Sequence, residues 1–209
     1  MAAVAISDRQ LALFALDNWK QYMLAALSKF VLRILGWTLE TNLPPQKKYV
    51  LVGAPHTSNW DLPLGLLYMS AVGLRFSWAG KHTIFKGPIG TILRSIGGIP
   101  IDRRIRSGLI ERMSELFDSH ETMILAITPE GTRSKVPYWK TGFYYIALHA
   151  NVPITLGYLD YKEKKLGMGY SFLPSGDIEK DMKIVRAFYK GKIGRHPEQQ
   201  GEITIRPKE

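Results

Sequence analysis

The chain contains no cysteine. That absence excludes disulfides, thiolate metal sites and a cysteine nucleophile together, so the fold must rest on packing, and a reducing compartment is expected. Histidine is also scarce: there are five in 209 residues, none at a recognised metal-ligand spacing, which argues against a metal hydrolase. No apolar stretch reaches the roughly 20 residues of a membrane span. The N-terminus lacks the basic start and small-residue cleavage site of a secretory signal, so it reads as part of the mature protein. Acidic residues are outnumbered, 18 Asp and Glu against 28 Lys and Arg, for a net charge of +10. Lipid headgroups, phosphorylated metabolites and nucleic acid are the partners this charge favours. The excess is concentrated: from 75 to 112 eight basic residues face only Asp102 and Glu111.

What is present is ordinary for a globular protein, with 45% apolar and 22% charged residues. No linker-like stretch divides the chain, so one core is expected. From Asp8 to about Glu40 apolar residues recur at helical spacing (Leu16, Trp19, Tyr22, Met23, Leu27, Phe30, Val31, Ile34), with Gly36 as a stop and charges at Asp17, Lys20, Lys29 and Arg33. This amphipathic segment, residues 1–45, is a helix or helical hairpin. Its apolar stripe packs on the domain's core, or its aromatic and basic side chains lie at a bilayer interface; both readings stay open.

Residues 46–209 read as alternating strands and helices. Strands are expected at 49–53, 75–79, 99–102, 123–127, 152–158, 168–172 and near Ile203, and helices at 62–74, within 81–95, and at 107–120, 144–150 and 179–190. The pattern predicts one α/β domain with a mostly parallel or mixed sheet flanked by helices. Polar clusters follow three of the apolar strands: His56 with Asp61, Asp102-Arg103-Arg104, and Glu130-Gly131-Thr132-Arg133. Strand ends are where such sheets bind ligands, and an imidazole beside a carboxylate can serve as an oriented base. Taken singly, each cluster is equally a structural pair, a turn or surface charge.

Together, in this order, they resemble the glycerolipid acyltransferase family that includes the 1-acyl-glycerol-3-phosphate acyltransferases. His56 to Asp61 is similar to its H-x-x-x-x-D block, and Gly97-Gly98-Ile99-Pro100-Ile101-Asp102-Arg103 to its glycine-led I-D-R block. Pro129-Glu130-Gly131-Thr132-Arg133-Ser134 reproduces P-E-G-T-R-S, and Val152-Pro153-Ile154 its V-P-I strand. The resemblance implies transfer of a fatty acyl group from an acyl-CoA or acyl-carrier-protein thioester to the hydroxyl of a lysolipid, with no cofactor and no nucleic-acid partner. It further implies peripheral attachment to an anionic membrane on its cytoplasmic side. His56 is then the base and Asp61 its orienting carboxylate, by the logic of a triad in which the substrate alcohol replaces serine; Ser58 is the alternative nucleophile. Lys81, Arg103 and Arg133 are placed to hold a phosphate. Glu130, Gly131 and Thr132 are placed at the acceptor, with Arg133 or Arg103 as the cation Glu130 would meet. Pro55, Thr128 and Pro100 depart from the family pattern and leave the acceptor headgroup open, so a different lysolipid is one rival reading; the net charge of +10 supports another, a non-catalytic basic module that binds anionic membrane or nucleic acid.

Overall fold

Short apolar runs without polar alternation fold as strands covered on both faces. Lys48–Gly53 (β2), Met123–Ile127 (β5) and Ile154–Asp160 (β6) are such runs. Their side chains alternate between two cores: Val50, Val52, Leu125, Ile154 and Leu156 enter one, while Tyr49, Leu51 and Ile124 enter the other. Thr38–Thr41 (β1), Ser77–Lys81 (β3), Gly98–Ile101 (β4) and Lys165–Phe172 (β7) complete the sheet. The computed structural model describes residues 8–102 and 108–207, with side chains from residue 19 onward. In it the seven strands lie in the order β1-β7-β6-β2-β5-β3-β4. Strands β2 to β6 run parallel, whereas β7 returns antiparallel to β6 and β1 pairs parallel with β7.

One face is covered by Asp8–Ile34 (α1) and Asp61–Ala71 (α2), which bury Leu32, Leu64, Tyr68 and Met69. The other is covered by Leu109–Asp118 (α4), Gly142–His149 (α5) and Ile178–Tyr189 (α6), through Phe117, Phe143, Ile146, Met182 and Val185. Gly87–Ser95 (α3) connects β3 to β4. The result is the α/β domain the alternation predicts, with a mixed sheet flanked by helices.

Among its described residues the N-terminal segment holds one helix, α1, rather than a helical hairpin. Gly36 ends it at φ +77°, with Gly36 N–H on Arg33 O and Trp37 N–H on Leu32 O. This is the paired 5→2 and 6→1 closure that a left-handed glycine permits, and it brings Trp37 onto the same core as Leu32. Strand β1, directly after this cap, was not evident in a stretch that carries the helical pattern to Glu40. The strand expected near Ile203 is reduced to a single bridge, Trp139 to Ile205. A tight turn from Thr204 N–H to Glu202 O breaks the extended chain there. No described helix is long and apolar enough to cross a membrane.

Candidate active site

Because β2, β3 and β5 are parallel neighbours, their C-terminal ends share one edge of the sheet. The loop after β2 carries His56, the turn after β5 carries Glu130, and Lys81 closes β3. Adjacent strands bring the first two into contact.

His56 Nδ1 lies 2.9 Å from Asp61 Oδ2. Asp61 opens α2 and is buried. The same Oδ2 accepts the backbone N–H groups of Thr57 at 3.1 Å and Ser58 at 3.0 Å, which folds the loop around the carboxylate. Asp61 Oδ1 accepts the hydroxyl of Tyr161 at 2.7 Å. With Nδ1 engaged by Asp61, Nε2 is the ring nitrogen left for a substrate proton. Ser58 Oγ accepts Trp60 N–H at 3.2 Å, a bond internal to the loop.

Glu130 is 8% exposed, and its Oε1 accepts the backbone N–H of His56 at 3.1 Å. Its Oε2 is buried and has no hydrogen-bond partner among the described residues. Among the described residues Glu130 forms no ion pair with Arg133, and Arg103 lies outside them. Burial raises the Glu130 carboxyl above its ordinary value, offset in part by backbone N–H donors including that of His56. Beneath this region the buried Tyr189 hydroxyl shares its proton between Val52 O and Gly157 O, tying the C-terminal end of β2 to the middle of β6. Burial first, and the charge of Glu130 second, raise its pKa.

His56 and Asp61 open on a cavity of about 480 Å³ between α2 and the sheet, walled by Leu51, Leu62, Tyr68, Met69, Trp78 and Met168. Lys81, Gly131, Thr132 and Arg133 line the same cavity. Glu130 instead lines a second cavity, of about 690 Å³, on the opposite face of the sheet beside Trp139 and Phe143; Gly131 borders both. Of the eight sequence-predicted residues, the structure therefore gathers six around one cavity. Glu130 stands directly behind them, bonded to the His56 backbone. Trp78 borders the cavity, Trp139 is core and Trp60 is exposed. Tyr161 is not legible as a site residue from the sequence, because it sits 100 residues from its partner in the turn after β6 and no local pattern marks it.

The fold is similar to that of a solved structure, the 1-acyl-sn-glycerophosphate (LPA) acyltransferase PlsC from Thermotoga maritima. That likeness has a TM-score of 0.58 at 18% identity, over 88% of this chain and 82% of that one. The family model described as Acyltransferase matches residues 36–155. The chain belongs to this acyltransferase family. Among curated proteins, the adenylosuccinate synthetase of Finegoldia magna is 31% identical over 110 residues, 52% of this chain and 24% of that protein. The match thus spans about a quarter of that relative's length.

Proposed function

We propose that the chain transfers a fatty acyl group from an acyl thioester, on coenzyme A or an acyl carrier protein, to the hydroxyl of a lysolipid with an anionic headgroup such as 1-acyl-glycerol-3-phosphate. The observation that carries this reading is one cavity in which an imidazole–carboxylate pair, two cations and an apolar wall meet. His56 Nε2 takes the proton of the acceptor hydroxyl as its oxygen attacks the thioester carbon. Asp61 holds the ring and offsets the imidazolium charge. Collapse of the tetrahedral intermediate breaks the C–S bond, and the thiolate leaves with the proton from His56. Lys81 and Arg133 hold the acceptor's phosphate, joined by Arg103, and the walls of the cavity take the acyl chain. Glu130 fixes the backbone of the base from behind, while Gly131 and Thr132 border the acceptor side of the cavity.

Two exposed apolar surfaces support a peripheral site on an anionic bilayer. Helix α1 turns Trp19, Tyr22, Leu24, Leu27, Phe30 and Ile34 outward. On α3, Gly90 is buried, and a Cβ there would fall 2.2 Å from Phe85 O. The opposite face carries Ile89 and Ile92, 66% and 61% exposed, flanked by exposed Lys81, Lys86 and Arg94. Ile84 and Lys81 continue this patch into the cavity wall. Apolar side chains among cations match the interface of an anionic leaflet, where each cation contributes about 1 kcal/mol. The test is thioester consumption across a panel of lysolipids with both carriers. Turnover is expected with anionic acceptors and lost in His56→Ala; no turnover with any acceptor, or full turnover in His56→Ala, sinks the reading.

A further inference from the structure

The family match ends at residue 155, yet later parts of the chain reach back to the dyad. Tyr161 lies in the turn between β6 and β7, its ring edge-on to Trp37 with centroids 5.0 Å apart. Its backbone N–H donates to Ile193 O at 2.9 Å. From there the chain runs along the loop that carries His56. His196 N–H donates to Thr57 Oγ1 at 3.1 Å, and Gly194 passes so close that a Cβ would fall 2.6 Å from that same oxygen. Arg195 stands 5.8 Å from the centroid of the Trp60 ring. The base loop is thus braced from outside the four motif blocks.

The brace has one contact with the reacting machinery. Asp61 Oδ2 is fixed by three donors, His56 Nδ1 and two backbone N–H groups; Oδ1 receives Tyr161. A carboxylate accepts about four hydrogen bonds, so Tyr161 completes the set. Among the described residues Tyr161 is the donor on Oδ1, so without it only the three bonds on Oδ2, all from the base loop itself, hold the carboxylate against rotation. Burial first, and the bond to Asp61 second, raise the Tyr161 pKa far above neutrality, so the hydroxyl keeps its proton and donates. Tyr161 does not line the cavity on which His56 opens; whatever it does for catalysis passes through Asp61.

We propose that Tyr161 is a positioning residue for acyl transfer: by fixing Oδ1 of Asp61 it fixes the ring of His56 in the orientation that meets the acceptor hydroxyl. The kinetic half of this inference rests on the acyl-transfer reading above; the structural half does not. Tyr161→Phe keeps the ring on Trp37 and deletes only the hydroxyl. Its kcat is expected to fall about tenfold, the scale of a hydrogen bond to a charged group, with KM for both substrates within about twofold of wild type and the thermal midpoint nearly unchanged. Replacing Tyr161 by 3-fluorotyrosine, which retains the hydroxyl, restores kcat to within about twofold. A proton NMR readout needs no substrate: the Nδ1–H resonance of His56, assigned by its loss in His56→Ala, is displaced or broadened away in Tyr161→Phe and kept with 3-fluorotyrosine. An undisturbed resonance in Tyr161→Phe overturns the proposal. A displaced resonance with unchanged kcat overturns its kinetic half. A displaced resonance in a protein whose wild-type form transfers no acyl group overturns the acyl-transfer reading and leaves the hold of Tyr161 on the dyad standing.

Discussion

Glu130 Oε1 accepts the backbone N–H of His56 at 3.1 Å, so the carboxylate of one sequence block carries the main chain of another. The arrangement has an electrostatic cost, because Glu130 is buried and its second oxygen has no partner among the described residues. Its carboxyl titrates above the ordinary value. In the window between the unfolded and folded values, the folded chain holds a proton that the unfolded chain has lost. Stability therefore falls as pH rises through that window. Glu130→Gln keeps an acceptor for His56 N–H and removes the charge. Its thermal midpoint, measured against wild type, is expected to become more favourable as pH rises above the ordinary glutamate range, where the wild-type carboxyl has to give up its proton in the folded chain. A difference that stays flat as pH rises contradicts the account.

Asp61→Asn separates orientation from charge. The amide oxygen can occupy the position of Oδ2 and face His56 Nδ1, Thr57 N–H and Ser58 N–H, while the amide nitrogen donates to the Tyr161 oxygen. The loop is expected to stay folded, as judged by circular dichroism. Loss of the charge opposite the imidazolium is expected to lower kcat about a thousandfold or more, by the logic of triads. A loss of only a few-fold means the carboxylate does no more than hold the loop.

The cavity can be shortened from one wall. Gly65 lies within α2, lines the cavity, and has nothing within 4 Å of an added Cβ. Gly65→Leu therefore fills space that the acyl chain would use, and replacing a helical glycine contributes up to about 1 kcal/mol of stability. The expected outcome is an unfolding temperature at or above wild type and a kcat/KM about tenfold lower for long-chain donors, with short-chain donors unaffected. Equal loss for all chain lengths places the chain elsewhere.

The exposed face of α3 gives a separate test of membrane attachment. Ile89→Ser combined with Ile92→Ser touches no residue of the His56 loop. Co-sedimentation with vesicles containing phosphatidylglycerol is expected to fall about tenfold or more, given about 0.8 kcal/mol for each buried CH₂. Turnover of monomeric short-chain acceptors is expected to remain. Unaltered sedimentation leaves α1 as the sole anchor.

How much could be read from the chain follows from where each contact lies along it. His56 and Asp61 sit on one loop five residues apart, so their pairing needed only a strand end and a helix start. The convergence of Lys81, Gly131 and Arg133 followed from parallel strands, whose C-terminal ends share an edge. The partner of Glu130 did not follow: a cation was expected, whereas the adjacency of β2 and β5 supplied a backbone N–H. Strand β1 was hidden for a similar reason. Its four residues are half-exposed and owe their extended form to β7, more than 120 residues away. Tyr161 combines both difficulties, being an ordinary turn residue until the sheet folds back to Asp61.

The bond from Thr57 to His196 has a consequence for the order in which the molecule matures. A ribosome supplies roughly 5–20 residues each second, so His56 and Asp61 leave it several seconds before Tyr161 and longer still before residues 193–196. The dyad's chemistry is encoded early, but the parts that clamp its loop arrive last. A nascent chain holding all four motif blocks would still lack the latch, and acyl transfer should switch on only once the segment through His196 has emerged and docked.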